Sequence, residues 1–235
     1  MSNNLRIDDL QTGGLRLVQN PSFYCFNSDS VVLANLCKVS PKMKIAELGA
    51  GSGVISILLA GKRGATKVVA VEKQAEMFEL LKKNVKLNSL EDKIETVHSD
   101  INDFEKWAKP QSFDMVVVNP PYETANGIDS VIDNCRTENL GTLEDFVSVA
   151  AKLLSFGKEF YVIGKIKRMA QTIALAAKYG LESKEITLIY PKRSKGADTF
   201  MLKAVKDGKV GLTLKTLVEM NENGEPTEEF KELYR

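Results

Sequence analysis

Runs of apolar residues change period along this chain, and the changes mark its elements. Short apolar runs bounded by turn residues read as strands from 43 up to the glycines at 49, and at 67–72, 94–98 and 115–118. Between and after them the apolar residues fall at helical spacing over 29–38, 54–60, 74–87, 142–154 and 165–178; Met77, Leu80, Leu81 and Val85 are the clearest case. Asn27 or Ser28 is placed to cap the first helix, Thr142 opens a capping pattern for the fourth, and Gly180 is a stop for the fifth. Strands follow at 158–163, 185–190 and 199–205, the last two forming a hairpin around 191–198. Alternating Leu15 and Leu17 suggest a short arm near the start, and 216–235 reads as an acidic tail that frays. Strands alternating with helices predict one α/β domain over 1–235. Its sheet is mostly parallel, has helices on both faces, and closes on an antiparallel hairpin.

One strand ends abruptly. In Asp114-Met-Val-Val-Val-Asn119-Pro120-Pro121-Tyr122 an apolar run stops at two prolines, neither of which can donate a ladder hydrogen bond. The proline after Asn119 biases that residue towards extended backbone. The stretch therefore presents a side-chain amide, a carbonyl and an aromatic ring on a stiff turn at a strand end. The polar stretch 123–141 that follows is longer than most connections in compact domains.

Composition narrows the possibilities. The chain has 235 residues, 43% hydrophobic and 27% charged, which suits a domain with a real core. No apolar run is long enough to cross a membrane, and the first ten residues carry no signal-peptide pattern. Cys25, Cys37 and Cys135 are an odd number without metal-ligand spacing, so a reducing cytoplasm is the expected location. The single histidine, His98, makes a histidine-built metal site or a Ser-His-Asp triad a poor reading, and no metal is expected. Net charge is only +1, but from Lys152 to Lys215 there are 14 Lys/Arg against 5 Asp/Glu, a balance of +9. Such a segment suits a polyanionic partner.

In an open α/β sheet, ligands bind at the carboxyl ends of the strands. Four consecutive strands here end in Glu47-Leu-Gly49-Ala-Gly51-Ser52-Gly53, Glu72, Asp100 and Asn119–Tyr122. The glycines let backbone approach a ligand closely. Their GxGxG spacing differs from the dinucleotide fingerprint, and no Gly-Lys-Ser/Thr ending is present to hold a triphosphate. Glu72 stands where an acid can grip a ribose diol. These features predict a nucleoside cofactor without a pyrophosphate.

These motifs resemble those of the class I S-adenosylmethionine-dependent methyltransferases, in the branch that methylates amino nitrogens. The resemblance implies a Rossmann-like fold with a seven-stranded sheet whose last strand is antiparallel. It implies that Glu47, Gly49, Gly51, Gly53, Glu72 and Lys73 hold the cofactor, with Asn119 bordering it, that Asp100 and Ile101 contact its adenine, and that Asn119, Pro120 and Tyr122 act in catalysis. Asn119 Oδ1 and the Pro120 carbonyl would accept hydrogen bonds from the acceptor NH2, while Pro121 and Tyr122 pack against its plane.

Adenine N6, cytosine N4 and glutamine amides are all served by such a motif. The segments Gly13-Gly14-Leu, Phe26-Asn-Ser-Asp29-Ser-Val-Val-Leu-Ala34, Arg136-Thr-Glu138 and Lys195-Gly-Ala-Asp-Thr-Phe-Met-Leu202 resemble the bacterial tRNA(Val) adenine-37 N6-methyltransferases. One departure is Thr137, where such relatives often carry His. This resemblance implies tRNA as partner, with Phe26 and Asp29 in the 1–40 segment closing the cofactor pocket. It makes Lys165, Lys167, Arg168, Lys192, Arg193 and Lys195 candidates for phosphate contacts. The rival readings are glutamine amide methylation of a protein, and a cofactor-binding RNA module without turnover. The helical N-terminal domain expected of release-factor glutamine methyltransferases is missing from the pattern.

Overall fold

The computed structural model describes residues 5–21, 27–121 and 141–235. Ten strands and six α-helices make up the described chain. A two-stranded antiparallel hairpin, β1 (Arg6–Asp9) and β2 (Arg16–Gln19), comes first. Then follow α1 (Ser28–Leu36), β3 (Lys44–Leu48), α2 (Val54–Gly61), β4 (Lys67–Glu72), α3 (Ala75–Leu87), β5 (Ile94–His98) and β6 (Phe113–Val118). After the undescribed residues come α4 (Leu143–Leu153), β7 (Leu154–Lys165), α5 (Met169–Lys178), β8 (Leu181–Lys192), β9 (Thr199–Lys206), β10 (Thr213–Met220) and α6 (Glu228–Glu232).

The main sheet has eight strands in the order β10-β8-β9-β7-β6-β3-β4-β5, and only β9 runs antiparallel to its neighbours. The alternating in-and-out of its side chains divides the core in two. On one face Ile45, Met115, Val117, Tyr161 and Ile163 pack under α1, α2 and α3. On the other, Leu48, Val116, Val118, Phe160 and Val162 pack under α4 and α5. Both faces are covered, which is why the central strands read as continuous apolar runs.

The sheet exceeds the expected seven strands by one, and the segment read as a fraying acidic tail supplies it. β10 pairs in parallel with β8, Leu217 is 2% exposed, and Phe230 of α6 joins the same core. Five of the six acids of this segment, Glu222, Glu225, Glu228, Glu229 and Glu232, are exposed, and Glu219 is half-buried. The hairpin β1–β2 is anchored by Asn84 of α3, which is fully buried. Its Oδ1 accepts from Val18 N at 2.6 Å, and its Nδ2 donates to Val18 O at 3.0 Å and to Ser52 O at 2.9 Å. Ser52 lies in the glycine loop, so the hairpin and that loop hang on one amide.

Candidate functional site

β6, β3, β4 and β5 lie side by side, so their carboxyl ends open on one crevice at the point where strand order reverses. At the end of β3 the chain turns under β4. Gly49 N and Ala50 N both donate to Val71 O at 2.9 Å. Gly49, Gly51 and Gly53 all adopt positive φ, +73°, +56° and +89°. At Gly53, which caps α2, a Cβ would lie 2.4 Å from Leu81 Cδ1, so this position needs glycine for packing as well as for conformation.

Two buried carboxylates organise the loop. Glu72 Oε2 accepts from Gly51 N and its Oε1 from Gln74 N, each at 2.7 Å. Burial pushes its carboxyl above the ordinary range, against the pull of those backbone donors. Glu47 is 1% exposed; burial raises it to about 8 despite bonds from Ser56 N and the Ser56 hydroxyl. At the end of β5, Asp100 accepts from Asn102 N at 2.9 Å and pairs with Lys73 Nζ at 2.7 Å. Partial burial pushes Asp100 up, but the lysine and the Asn102 bonds outweigh it and hold the carboxyl below its usual value.

The pocket bounded by these groups holds about 830 Å³, open mouth included. Glu47, Gly49, Gly51, Glu72, Lys73, Ile101, Asn119 and Pro121 line it, together with Ser30, Met77 and Phe146. Asn119 Nδ2 donates to Ser30 Oγ at 3.0 Å. Pro120 is buried behind it and faces a smaller cleft of about 220 Å³ shared with Pro121, Leu143, Arg168 and Thr172.

Comparison with known proteins places this architecture. The TRM5/TYW2 methyltransferase domain matches residues 33–171. The chain belongs to the TRM5/TYW2 methyltransferase family. It is therefore an S-adenosylmethionine-dependent methyltransferase. A tRNA1(Val) (adenine(37)-N6)-methyltransferase of Phocaeicola vulgatus is 30% identical over 70% of this chain and 70% of its own length. A Methanocaldococcus jannaschii protein assigned as a protein N5-glutamine methyltransferase is 37% identical over 48% of this chain and 54% of its own. Matched spans cover 40 to 87% of the first relatives' own lengths. Among solved structures, an Agrobacterium tumefaciens protein described as an O-methyltransferase superposes with a TM-score of 0.73. It covers 88% of this chain and 95% of its own at 24% identity, and shares the fold.

The pocket of this TRM5/TYW2-family member suits the family's cofactor. Each carboxylate oxygen of Glu72 has spent one lone pair on backbone N–H, leaving a second for a diol. Asp100 likewise keeps acceptor capacity beside Ile101. A Cβ on Gly51 would lie 3.6 Å from Met77 Cε, an ordinary contact, so it is the φ of +56° and not crowding that favours glycine there.

Phe26 and Tyr122 fall outside the described residues, as do Arg136 and Glu138 of the quoted segments. Other expected site residues lie elsewhere. Gly53 shapes the turn without lining the pocket, and Asp100, paired with Lys73, stands beside the lining residue Ile101 without lining it itself. Asp29 is 5% exposed and pairs with Lys165 Nζ at 3.2 Å, and the same ammonium donates to Thr199 Oγ1 at 2.9 Å. Lys165 is thus engaged inside the fold, where the sequence suggested an outward phosphate contact. Lys167 is exposed on a 3-10 turn, Ile166–Arg168, directly after β7. Lys192, Arg193 and Lys195 sit at the β8–β9 turn. β8 continues three residues beyond Ile189, which shares Thr199 as a register partner with Lys165, so the turn stands about 10 Å above the end of β7. Glu222 holds that turn, accepting from Ser194 N at 3.0 Å and Ser194 Oγ at 2.6 Å.

Ser30, Ser56, Gln74 and Phe146 were not among the expected site residues, and Met77 was named only for its helical spacing. Ser30 sits inside the quoted Phe26–Ala34 run, and Phe146 reads only as the apolar face of a helix. Among the described residues no cluster of three or more His, Cys, Asp or Glu could hold a metal ion, and no helix is long and apolar enough to cross a membrane.

Proposed function

We propose that this protein methylates the exocyclic N6 of an adenine in tRNA, with adenine-37 of tRNA(Val) as the first candidate. The observation that carries this is the placement of Asn119 on the wall of the cofactor pocket, at the end of the strand next to the glycine loop. When bound, the cofactor supplies an electrophilic methyl group on a sulfonium.

The chain's own residues deal with the acceptor. An exocyclic amine is a poor nucleophile because its lone pair is delocalised into the ring. Asn119 Oδ1 and the Pro120 carbonyl accept its two N–H bonds, which fixes the nitrogen and favours a pyramidal geometry. Both oxygens then place negative dipole ends where positive charge develops. The nitrogen would bond the methyl carbon as that carbon's bond to the sulfonium sulfur breaks, leaving S-adenosylhomocysteine, and the cationic nitrogen would afterwards lose one proton to water. No strong base is needed before transfer. Orientation of this kind is worth up to about 7–11 kcal/mol in ideal cases. By its place in the motif, the ring of Tyr122 is the stacking surface for the base.

The aligned length supports a tRNA acceptor, since three of the relatives with the tRNA1(Val) name match 69 to 88% of this chain. So does the raised basic turn, with Lys192, Arg193 and Lys195 on the same rim as Asn119. The glutamine-methylating relative favours a second reading, in which the same clamp holds a side-chain amide of a protein.

Labelled methyl transfer separates the two readings. Unmodified tRNA and a protein extract are offered together with labelled S-adenosylmethionine, and the label is followed into each. Label in tRNA is expected; label in protein with none in tRNA overturns the tRNA reading.

A further inference from the structure

Two turns of opposite charge meet at one end of the sheet. The first, Lys192-Arg193-Ser194-Lys195, closes on itself through Lys195 N, which donates to Lys192 O at 3.0 Å. It carries three cations in four residues. The second, 221–225, follows β10 and carries Glu222 and Glu225. Parallel pairing of β10 with β8 makes Met220 the register partner of Lys192, so the two turns leave the sheet side by side.

Glu222 bridges them. Its carboxylate accepts from Ser194 N on one oxygen at 3.0 Å and from Ser194 Oγ on the other at 2.6 Å, and Lys192 Nζ donates to the Glu222 carbonyl at 3.3 Å. The acidic turn is stiffened by Asn221, whose Oδ1 accepts from Glu225 N and whose Nδ2 donates to Glu225 Oε2, each at 3.0 Å. The Ser194 hydroxyl, then the Ser194 N–H and the Lys192 ammonium, hold the Glu222 carboxyl below its usual range, so it is an anion at neutral pH. A backbone N–H and a hydroxyl that converge on two oxygens of one anion, with cations around them, are the donors that contact phosphate in nucleic-acid complexes. Glu222 answers this set only in part. Arg193 and Lys195 are exposed and form no ion pair among the described residues. The Ser194–Glu222 contact is itself exposed, where charged contacts are weak. An RNA phosphodiester offers Ser194 the same kind of anion, and its neighbours along the strand bring further negative charge to Arg193 and Lys195.

We propose that Ser194, through its N–H and its hydroxyl, binds a phosphate of the RNA backbone, and that Glu222 occupies this site until that phosphate displaces it. The inference rests on the reading of tRNA as the substrate. It gives the segment after β10 a role in RNA binding: it covers the donors of the basic turn while no RNA is bound.

A double-mutant cycle on the binding of unmodified tRNA, at one fixed salt concentration, tests this. Glu222→Ala uncovers the site and is expected to tighten the Kd by about 3- to 10-fold. Ser194→Ala alone removes the phosphate donors together with the contact that masks them, so the Kd should move by less than about 2-fold. Made in the Glu222→Ala background, the same Ser194→Ala change should weaken binding by about 3- to 10-fold and erase the gain. A gain that survives Ser194→Ala would mean that Glu222 acts only as a nearby negative charge. Weaker binding by Glu222→Ala would make it a brace for the turn. Either result overturns the inference. A second measurement replaces tRNA with inorganic phosphate at constant ionic strength. The Ser194 amide signal in a nitrogen-15 spectrum should move with added phosphate in Glu222→Ala and much less in the wild type. A signal that stays in place in both proteins, or moves equally in both, would refute the masked site. Absence of methyl transfer into tRNA would count against the proposed function, while the phosphate titration would still decide on Ser194.

Discussion

Gly53→Ala is the substitution whose cost can be worked most directly from the structure. Two terms act. Gly53 has φ +89°, a region in which an L-residue costs about 1–2 kcal/mol. Alanine restricts the unfolded chain more than glycine and returns about 0.4–1 kcal/mol of that. The second term is steric: the new Cβ would lie 2.4 Å from Leu81 Cδ1. A flexible surface leucine would turn away, but Leu81 is fully buried in the α1–α3 core, where overpacking costs about 1–3 kcal/mol. The sum is about 2–4 kcal/mol. For a chain of this size that is a fall in Tm of about 4–16 °C. Gly64→Ala is the control, since Gly64 has φ +78° but nothing within 4 Å of its added Cβ. It carries the conformational term alone and should lose only about 1 kcal/mol, or about 2–4 °C. Paired thermal and urea unfolding curves measure both. Equal losses in the two variants would refute the steric argument and leave the glycine at 53 explained by φ only.

Two further outcomes follow from the site. Glu47, held at about 8 against a free value of 4.5, keeps a proton in the folded state that the unfolded chain has released. Stability therefore falls as pH rises from 4.5 to 8, by up to about 1.4 kcal/mol per pH unit, and is flat above that window. Glu47→Gln should flatten the pH dependence of Tm between those limits, and an unchanged slope contradicts the buried-carboxyl account. Removing Lys192 and Arg193 together should weaken tRNA binding and flatten its log–log salt dependence by about 1.4–1.8, the lower figure if the contacts are to single-stranded loop, and an identical slope would dismiss the raised turn as a phosphate contact.

Much of this was legible because the parallel sheet writes its strands as apolar runs and ends each one at the ligand crevice. Glu47, Glu72, Asp100 and Asn119 were placed by counting strands; Glu47, Glu72 and Asn119 line one pocket, and after β5 it is Ile101, next to Asp100, that lines it. What escaped has specific causes. β1 is Arg-Ile-Asp-Asp, mostly exposed, with only its pairing to β2 making it a strand. β10 exposes its first four residues and buries Leu217 alone, so its pattern carries no alternation; it exists because β8 offers an edge. α4 passes into β7 at Leu154 with no intervening turn residue, so the strand begins four residues before the reading put it. Lys165 and Asp29 look in sequence like unrelated surface and pocket residues. They meet because β7 delivers the lysine to the first turn of α1, 136 positions away. The same long-range closure brings Ser30 to Asn119, and nothing local announces it.

The central claim is that Asn119 serves the acceptor and not the donor. It is tested by incubating unmodified tRNA and S-adenosylmethionine with the wild-type protein and with Asn119→Ala, then digesting the tRNA and measuring N6-methyladenosine. Cofactor affinity of both proteins is measured by calorimetry. The wild type is expected to form N6-methyladenosine, and Asn119→Ala to lose it while its cofactor Kd changes by less than about 1 kcal/mol in free energy, one neutral hydrogen bond. A parallel loss of cofactor binding and methyl transfer, or undiminished N6-methyladenosine from Asn119→Ala, would contradict the account.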